Sequence, residues 1–283
     1  MKKYLVMLFS IIFIFLFSKS LTAGAWTQQK GKGYFQIGSQ ILRANQFYEP
    51  GGNKIDITTL GDYTVTFYGE YGITNDLTVI GSIPFFRRIT LNRVEGINSG
   101  TELFGGDSKN GISDFDIGLK YGIAKFGSTV LSVSLSFGIP VGDTEQKNGL
   151  YTGDGEWNQQ LAVGIGHSFS GPFYFSADVG FNNRVEGYSD EVRYNVEFGY
   201  SFQKFIFIMK ANGVETLRNG VDAVLGGAGG LFANNQQYLV FGPEIVYSFN
   251  ESLGVNAGAV TATRAENVVS GIAYRFGVFF KLL

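Results

Sequence analysis

Apolar and polar residues take turns along most of this chain, and the clearest run is 192–202. Val192, Tyr194, Val196, Phe198, Tyr200 and Phe202 alternate there with Arg193, Asn195, Glu197, Gly199 and Ser201. A period of two puts the two sets on opposite faces of one β-strand. Gln203-Lys204 then makes a tight turn, and Phe205, Phe207, Met209 and Ala211 alternate with Ile206, Ile208, Lys210 and Asn212. At about 11–13 residues the strand exceeds the ~5–6 usual in globular proteins and suits a tilted membrane-crossing strand. The same hairpin recurs along the chain. Strands are predicted over 34–43, 62–73 and 77–89, then from Asp114 through Tyr121, and again around Leu131–Phe137. Further strands are predicted over 157–169, 173–182, 237–249, 253–263 and 269–282, which with the hairpin makes twelve.

The connections alternate in length as well. Turns near 75, 126, 171, 203 and 251 are short, whereas 44–60, 92–110, 139–155 and 216–235 are long and polar. An even strand count with short turns on one side and long loops on the other is the pattern of a bacterial outer-membrane barrel, with short turns and both termini on the periplasmic side. The predicted fold class is therefore all-β, a closed antiparallel transmembrane β-barrel of twelve strands. Closure leaves no strand edge unpaired in lipid. A secreted β-sandwich or lectin-like protein is the soluble alternative, in which the apolar faces would form a protein core.

Composition sharpens the choice. Only 45% of the 283 residues are hydrophobic and mean hydropathy is +0.08, which excludes a bundle of membrane helices. Glycine is abundant at 40, proline scarce at 5, and aromatics reach 16%, a balance suited to strands that bend and approach closely. Without cysteine there are no disulfides or thiolate metal sites, and a single histidine, His167, argues against histidine-built zinc sites. No cofactor is expected. The one long apolar run, Tyr4–Phe17, follows Lys2 and Lys3 and precedes Ala23-Gly24-Ala25. That is a signal-peptide pattern, and the run is short for a membrane anchor. Residues 1–25 are thus read as signal peptide and 26–283 as the barrel. The mature chain keeps 19 of the 22 basic residues against 24 acidic ones, a net charge of −5, and is a poor nucleic-acid binder.

Three segments carry a family likeness: Gly24-Ala25-Trp26-Thr27-Gln28, the hairpin from Tyr71 through Thr78, and Gly111 through Tyr121. Together they make the mature chain resemble the phenol-degradation MetA-pathway family of outer-membrane proteins, whose relatives include the barrel that exports functional amyloid. The resemblance implies a twelve-stranded barrel carrying solutes or polypeptide across the outer membrane. The amyloid exporter also has a helical region ahead of its barrel, and the interval from Ala25 to Tyr34 is too short for one. The last strand, with Tyr274, Phe276, Val278, Phe280 and Leu282 alternating against Arg275, Gly277, Phe279 and Lys281, suits recognition by the barrel-assembly machinery. Such signals commonly end in an aromatic residue, and this chain ends in Leu283.

In a barrel, the polar strand faces line the lumen. Glu70, Asp114, Asp116, Lys120, Asp178, Arg193, Glu197, Lys210, Glu244 and Arg275 are the predicted lining. Both signs occur, so the set forms no single-signed selectivity ring. It is either a salt-bridged interior that stiffens the barrel or the charged wall of a permeation path. In the second case, neutralising Asp114 and Asp116 together changes ion selectivity. Twelve strands predict a narrow or partly plugged lumen. The long loops at 44–60 and 92–110 and the Leu225–Gly230 run are read as solvated extracellular segments, with inward folding as the alternative. That glycine run has neither the lysine nor the helix of a phosphate loop. A barrel phospholipase would need a serine with a histidine base. His167-Ser168 is the only such pair, and neighbouring strand positions point to opposite faces. The function expected is a non-enzymatic outer-membrane channel for small solutes, with hydrophobic or aromatic compounds implied by the resemblance. A narrow polypeptide export pore and a structural or adhesive barrel are the alternatives. The expected partners are outer-membrane lipid, small-molecule solutes and the assembly machinery; oligomeric state is left open.

Overall fold

The alternation becomes antiparallel β-structure throughout. The computed structural model describes residues 24–145, 148–221 and 231–283, with no helix among them. The apolar run of the leader and the Leu225–Gly230 segment lie outside those residues. β1 (Gly33–Tyr48), β2 (Lys54–Gly72) and β3 (Leu77–Leu91) open the sheet, followed by the small β4 (Val94–Glu95), β5 (Glu102–Phe104) and β6 (Asp107–Gly111). Long strands resume with β7 (Phe115–Phe126), β8 (Thr129–Ile139), β9 (Asn158–Ser168), β10 (Phe173–Arg184), β11 (Glu191–Phe202) and β12 (Phe205–Thr216). The sheet ends with β13 (Gln237–Ser248), β14 (Leu253–Glu266), the short β15 (Val268–Ser270) and β16 (Ile272–Leu282). Each long strand pairs with its neighbours in chain order, and β1 pairs with both β2 and β16, which closes twelve strands into a barrel. β6 adds to the far end of β3, and β15 to the far end of β1.

The register sets apolar residues side by side around the outer wall. Ile117 lies opposite Phe137, Leu135 opposite Leu161, and Val163 opposite Val179. Farther round, Phe198 meets Met209, Phe207 meets Ile245, and Ile37 sits between Val278 and Phe67. These side chains are exposed: Phe198 by 45%, Phe207 by 43%, Ile245 by 47% and Val278 by 54%. A continuous belt of this kind greatly exceeds the apolar patches of soluble monomers. Lipid takes the place of a protein core on that face. Inside, glycine makes room for tyrosine: a Cβ at Gly199 would overlap the Tyr174 ring.

Three connections differ from the sequence expectation. Residues 44–60 are mostly strand, because the alternation of Lys54-Ile55-Asp56-Ile57 continues past the polar composition. Gln46 pairs with Asp56 and Tyr48 with Lys54, and only the Pro50-Gly51-Gly52 turn remains, with both glycines at positive φ (95° and 80°). The predicted last strand is cut by Gly271 into β15 and β16, and only Asn267, at φ 56°, separates β14 from β15. The 92–110 segment carries the β4–β5 hairpin away from the barrel, with Ile97 fully exposed. By contrast, the long loop after β8 folds inward. Leu150 packs with Leu60 and Ile89 in a buried cluster that also takes Leu231 and Phe232.

Candidate functional site

The inner wall has three levels. At mid-height, register places Glu197 opposite Lys210. The Lys210 ammonium lies 3.6 Å from Glu197 and 3.0 Å from Glu244, so one cation serves two carboxylates. Tyr174 donates its hydroxyl to Glu197 at 2.5 Å, and Asn256 Nδ2 donates to Glu244 at 3.2 Å. Arg275 stands directly across from Gln40 and donates Nε to its Oε1 at 3.0 Å. Around these groups is a cavity of about 310 Å³, bounded also by Tyr34, Tyr68, Ile208 and Val246. Beneath it Tyr174, Ile206, Ile208, Val246 and Phe279 form an apolar floor inside the barrel. On the next wall Asn195 donates to Asp178 at 2.7 Å, and Asn212 in turn donates to Asn195, an amide ladder across β10–β12.

At the end with the short turns, the segment before β1 runs across the lumen. Ala25 N–H donates to Ser176 Oγ on β10, and the Trp26 ring packs edge-on against Tyr174 at 6.0 Å, over Gly166. The Lys120 ammonium donates to the Trp26 carbonyl. Gln28 donates its backbone N–H to Thr78 Oγ1 (2.8 Å) and its amide to Glu70 (2.9 Å). Gly31 and Gly72 finish the crossing with a backbone hydrogen bond. Glu70 and Lys120, both buried and 3.4 Å apart, are thus a pair that fastens this segment. Tyr68 completes the Glu70 shell with a hydroxyl donated at 2.5 Å.

The other end is closed by loops. Arg184, 7% exposed, is gripped by three carboxylates: Asp154 at 3.2 Å, Glu156 at 2.5 Å and Glu191 at 2.7 Å. Its guanidinium lies over the Tyr188 ring. Arg193 supplies the second cation, 2.7 Å from Glu191. Burial, and next the Glu156 carboxylate, push Asp154 up to about 7, against the pull of Arg184. Burial likewise raises Glu156, opposed by Arg184. Arg87 makes a bidentate pair with Asp62 (3.0 and 2.8 Å), reaches Ser113 and covers the Phe232 ring. Asn234 spends its whole amide on backbone, accepting from Ser189 and Asn235 and donating to Gly187 and Val221.

The predicted lining residues therefore separate into groups. Glu197, Lys210, Glu244 and Arg275 meet around the cavity; Glu70 and Lys120 hold the entering segment; Arg193 joins the loop cluster; Asp178 sits in the amide ladder. Asp116 is exposed, with no hydrogen bond or ion pair among the described residues. Asp114 departs from the strand-face expectation, since it lies just before β7. It accepts the N–H groups of Gly142 and Asp154 and holds the inward loop. His167 shares a hydrogen bond with Thr129, 2.7 Å away, and packs edge-on against Phe169. Pattern reading overlooked Arg184 and Glu191, at the facing ends of β10 and β11, and their loop partners Asp154 and Glu156. It also passed over Tyr34, Gln36 and Gln40, although their phase on β1 is that of the polar face.

The model of the family described as "Putative MetA-pathway of phenol degradation" matches residues 18–276. No curated protein matches the sequence. Among solved structures, the fold is similar to the COG4313 outer membrane channel from Pseudomonas putida F1, with TM-score 0.67 and 12% identity over 93% of this chain and 100% of that one. It is also similar to the KdgM porin in complex with disordered oligogalacturonate, at TM-score 0.50 and 5% identity over 88% and 99%.

Proposed function

Because the chain belongs to that family and closes into a twelve-stranded barrel of the bacterial outer membrane, we propose that it is a narrow passive channel for small solutes, hydrophobic or aromatic compounds in particular. The observation that carries this reading is the inner cavity of about 310 Å³, walled by Glu197, Lys210, Glu244 and Arg275 and floored by apolar side chains. A filled, purely structural barrel has no use for such a space. A cavity of this size matches the lower end of small-molecule sites, and its mixed lining suits a solute with one polar end. The short-turn end and both termini are assigned to the periplasm, and the inward loops to the outside. Crossing of the lumen by residues 25–31 speaks against a polypeptide export pore. The reading assigns no reaction to the chain.

Single-channel recording of the refolded mature protein in a planar bilayer tests it. Small, discrete conductance steps are expected. Silence from barrels shown to be folded by heat-modifiable migration would overturn the channel reading and leave a structural barrel.

A further inference from the structure

The four charged groups around the mid-height cavity balance in number but not in pairing. Lys210 is shared between Glu197 and Glu244, and those carboxylates are further satisfied by Tyr174 and Asn256. Arg275 has no carboxylate within 4.0 Å among the described residues; its one hydrogen bond runs from Nε to Gln40. Its two Nη groups, the fork that matches a carboxylate in bidentate fashion, have no acceptor among the described residues. Gln36 lies four residues from Gln40 on the same face of β1. Its Oε1 is taken by the Tyr34 hydroxyl at 2.5 Å, which leaves Nε2 as a donor without an acceptor. Glycine keeps this corner open: a Cβ at Gly277 would overlap both Gln36 Nε2 and Asn256 Oδ1. Ile208 and Val246 add hydrocarbon to the same lining, and the Tyr34 ring stacks on Phe279 at 5.6 Å.

The donors left on Arg275 and Gln36 outnumber the one unpartnered acceptor, Asn256 Oδ1, and with hydrocarbon in the same lining they describe one kind of guest. We propose that the cavity is a binding site for an amphiphilic monocarboxylate, an aromatic or short-chain acid of roughly single-ring size. Its carboxylate sits on Arg275 and Gln36, and its body lies against Ile208, Val246 and Tyr34. A neutral phenol or amide of the same shape fills the same space but leaves the guanidinium unpaired. This proposal rests on the channel reading for its biological meaning, yet the site itself is testable without transport.

Calorimetry on the refolded full barrel in detergent, with benzoate and benzamide as probes, tests it. Benzoate binding at least tenfold tighter than benzamide is expected, a ratio that falls to near one in Arg275→Gln and is partly restored in Arg275→Lys. Gln36→Leu, which leaves the arginine in place, is expected to weaken benzoate several-fold and benzamide little. Equal binding of the two probes by the unaltered protein, or an unchanged ratio in Arg275→Gln barrels that remain heat-modifiable, would overturn the proposal. Bilayer recording of the same preparations separates the two readings. Benzoate preference without conductance keeps the site and removes the channel, and conductance without preference does the reverse.

Discussion

The two ends of the lumen are closed in different ways. At the short-turn end the closing element is the single segment that leads into β1, and its grip is a handful of hydrogen bonds, one aromatic contact and the Glu70–Lys120 pair. At the long-loop end the closing elements are anchored at both sides by strands. They are locked by Arg184 with its three carboxylates, the Arg87–Asp62 pair and the Asn234 amide. With the predicted signal peptide removed, the segment leading into β1 can leave without breaking a hairpin. A loop between two strands can leave only by unfolding its own contacts. The short-turn end is therefore the easier of the two to open.

The sharpest test of that contrast is to remove the tethered segment. A mature chain starting at Lys32 keeps every strand and loses the crossing residues, so its single-channel conductance is expected to rise several-fold with little change in unfolding midpoint. An unchanged conductance would move the constriction to the long-loop end. The matching lesion there is Arg184→Gln. It leaves Asp154 and Glu156 buried without their guanidinium, and loss of one partner from a buried ion cluster costs about 3–5 kcal/mol. Urea unfolding of the refolded barrel should show a loss of that order or, if the loop opens locally instead, protease cleavage within 140–157 of a barrel that stays folded.

The long-loop end is also the pH-sensitive one. Asp154 is raised to about 7 in the closed state, above its ordinary 3.8. A carboxyl raised on closing binds more protons when the loop is in. Its contribution is thus fully present below the ordinary value and is lost as pH rises through about 7. The groups facing it are Glu156, Asp114, Arg184 and the Tyr151 and Tyr188 rings; burial first, and then the acidic neighbours, disfavour its charge. Protection factors in 140–157, corrected for the intrinsic base-catalysed exchange rate, are expected to fall between pH 6 and pH 8 and to lose most of that pH dependence in Asp154→Asn. Two neighbours act in the opposite sense. The Lys109 ammonium and the Glu145 N–H hold Asp143 below its usual range. Asp190, despite some burial, is held low by Asn219, the Arg184 N–H and Asn183. Their contribution fades only as pH falls below about 4, which keeps the two windows apart.

The same contrast explains what was legible in the sequence. The outer wall was legible because lipid imposes one rule on every second residue, and runs such as Phe205, Phe207 and Met209 obey it without reference to the rest of the fold. Hairpin turns were legible from composition. The loop closures were not, since Arg184 meets Asp154 and Glu191 through a fold that no local period encodes. Their traces were small: Leu150-Tyr151 and Leu231-Phe232 are apolar pairs in polar stretches, and Trp26 is an aromatic residue in a polar lead-in. Among the lining candidates, the strand residues could be placed by phase. Asp114 could not, because the strand begins only at the next residue, Phe115.

The smallest effect isolates the short-turn end from its plug. Two of its turns hold two residues each, at 127–128 and 203–204, and each needs a left-handed residue: Gly127 at φ 59° and Gln203 at φ 54°. Glycine takes that conformation freely, whereas an ordinary side chain there costs roughly 1–2 kcal/mol. Gln203 is exposed and its side chain forms no hydrogen bond among the described residues, so replacing it forfeits no contact. Glycine also gains freedom in the unfolded chain, which offsets part of the relief. Gln203→Gly is therefore expected to raise unfolding free energy by about 0.5–1 kcal/mol, and Gly127→Gln to lower it by a similar amount. Conductance should stay unchanged in both, because neither turn touches residues 25–31. If Gln203→Gly does alter conductance, the turns and the tethered segment move together, and the short-turn end is a single mechanical unit.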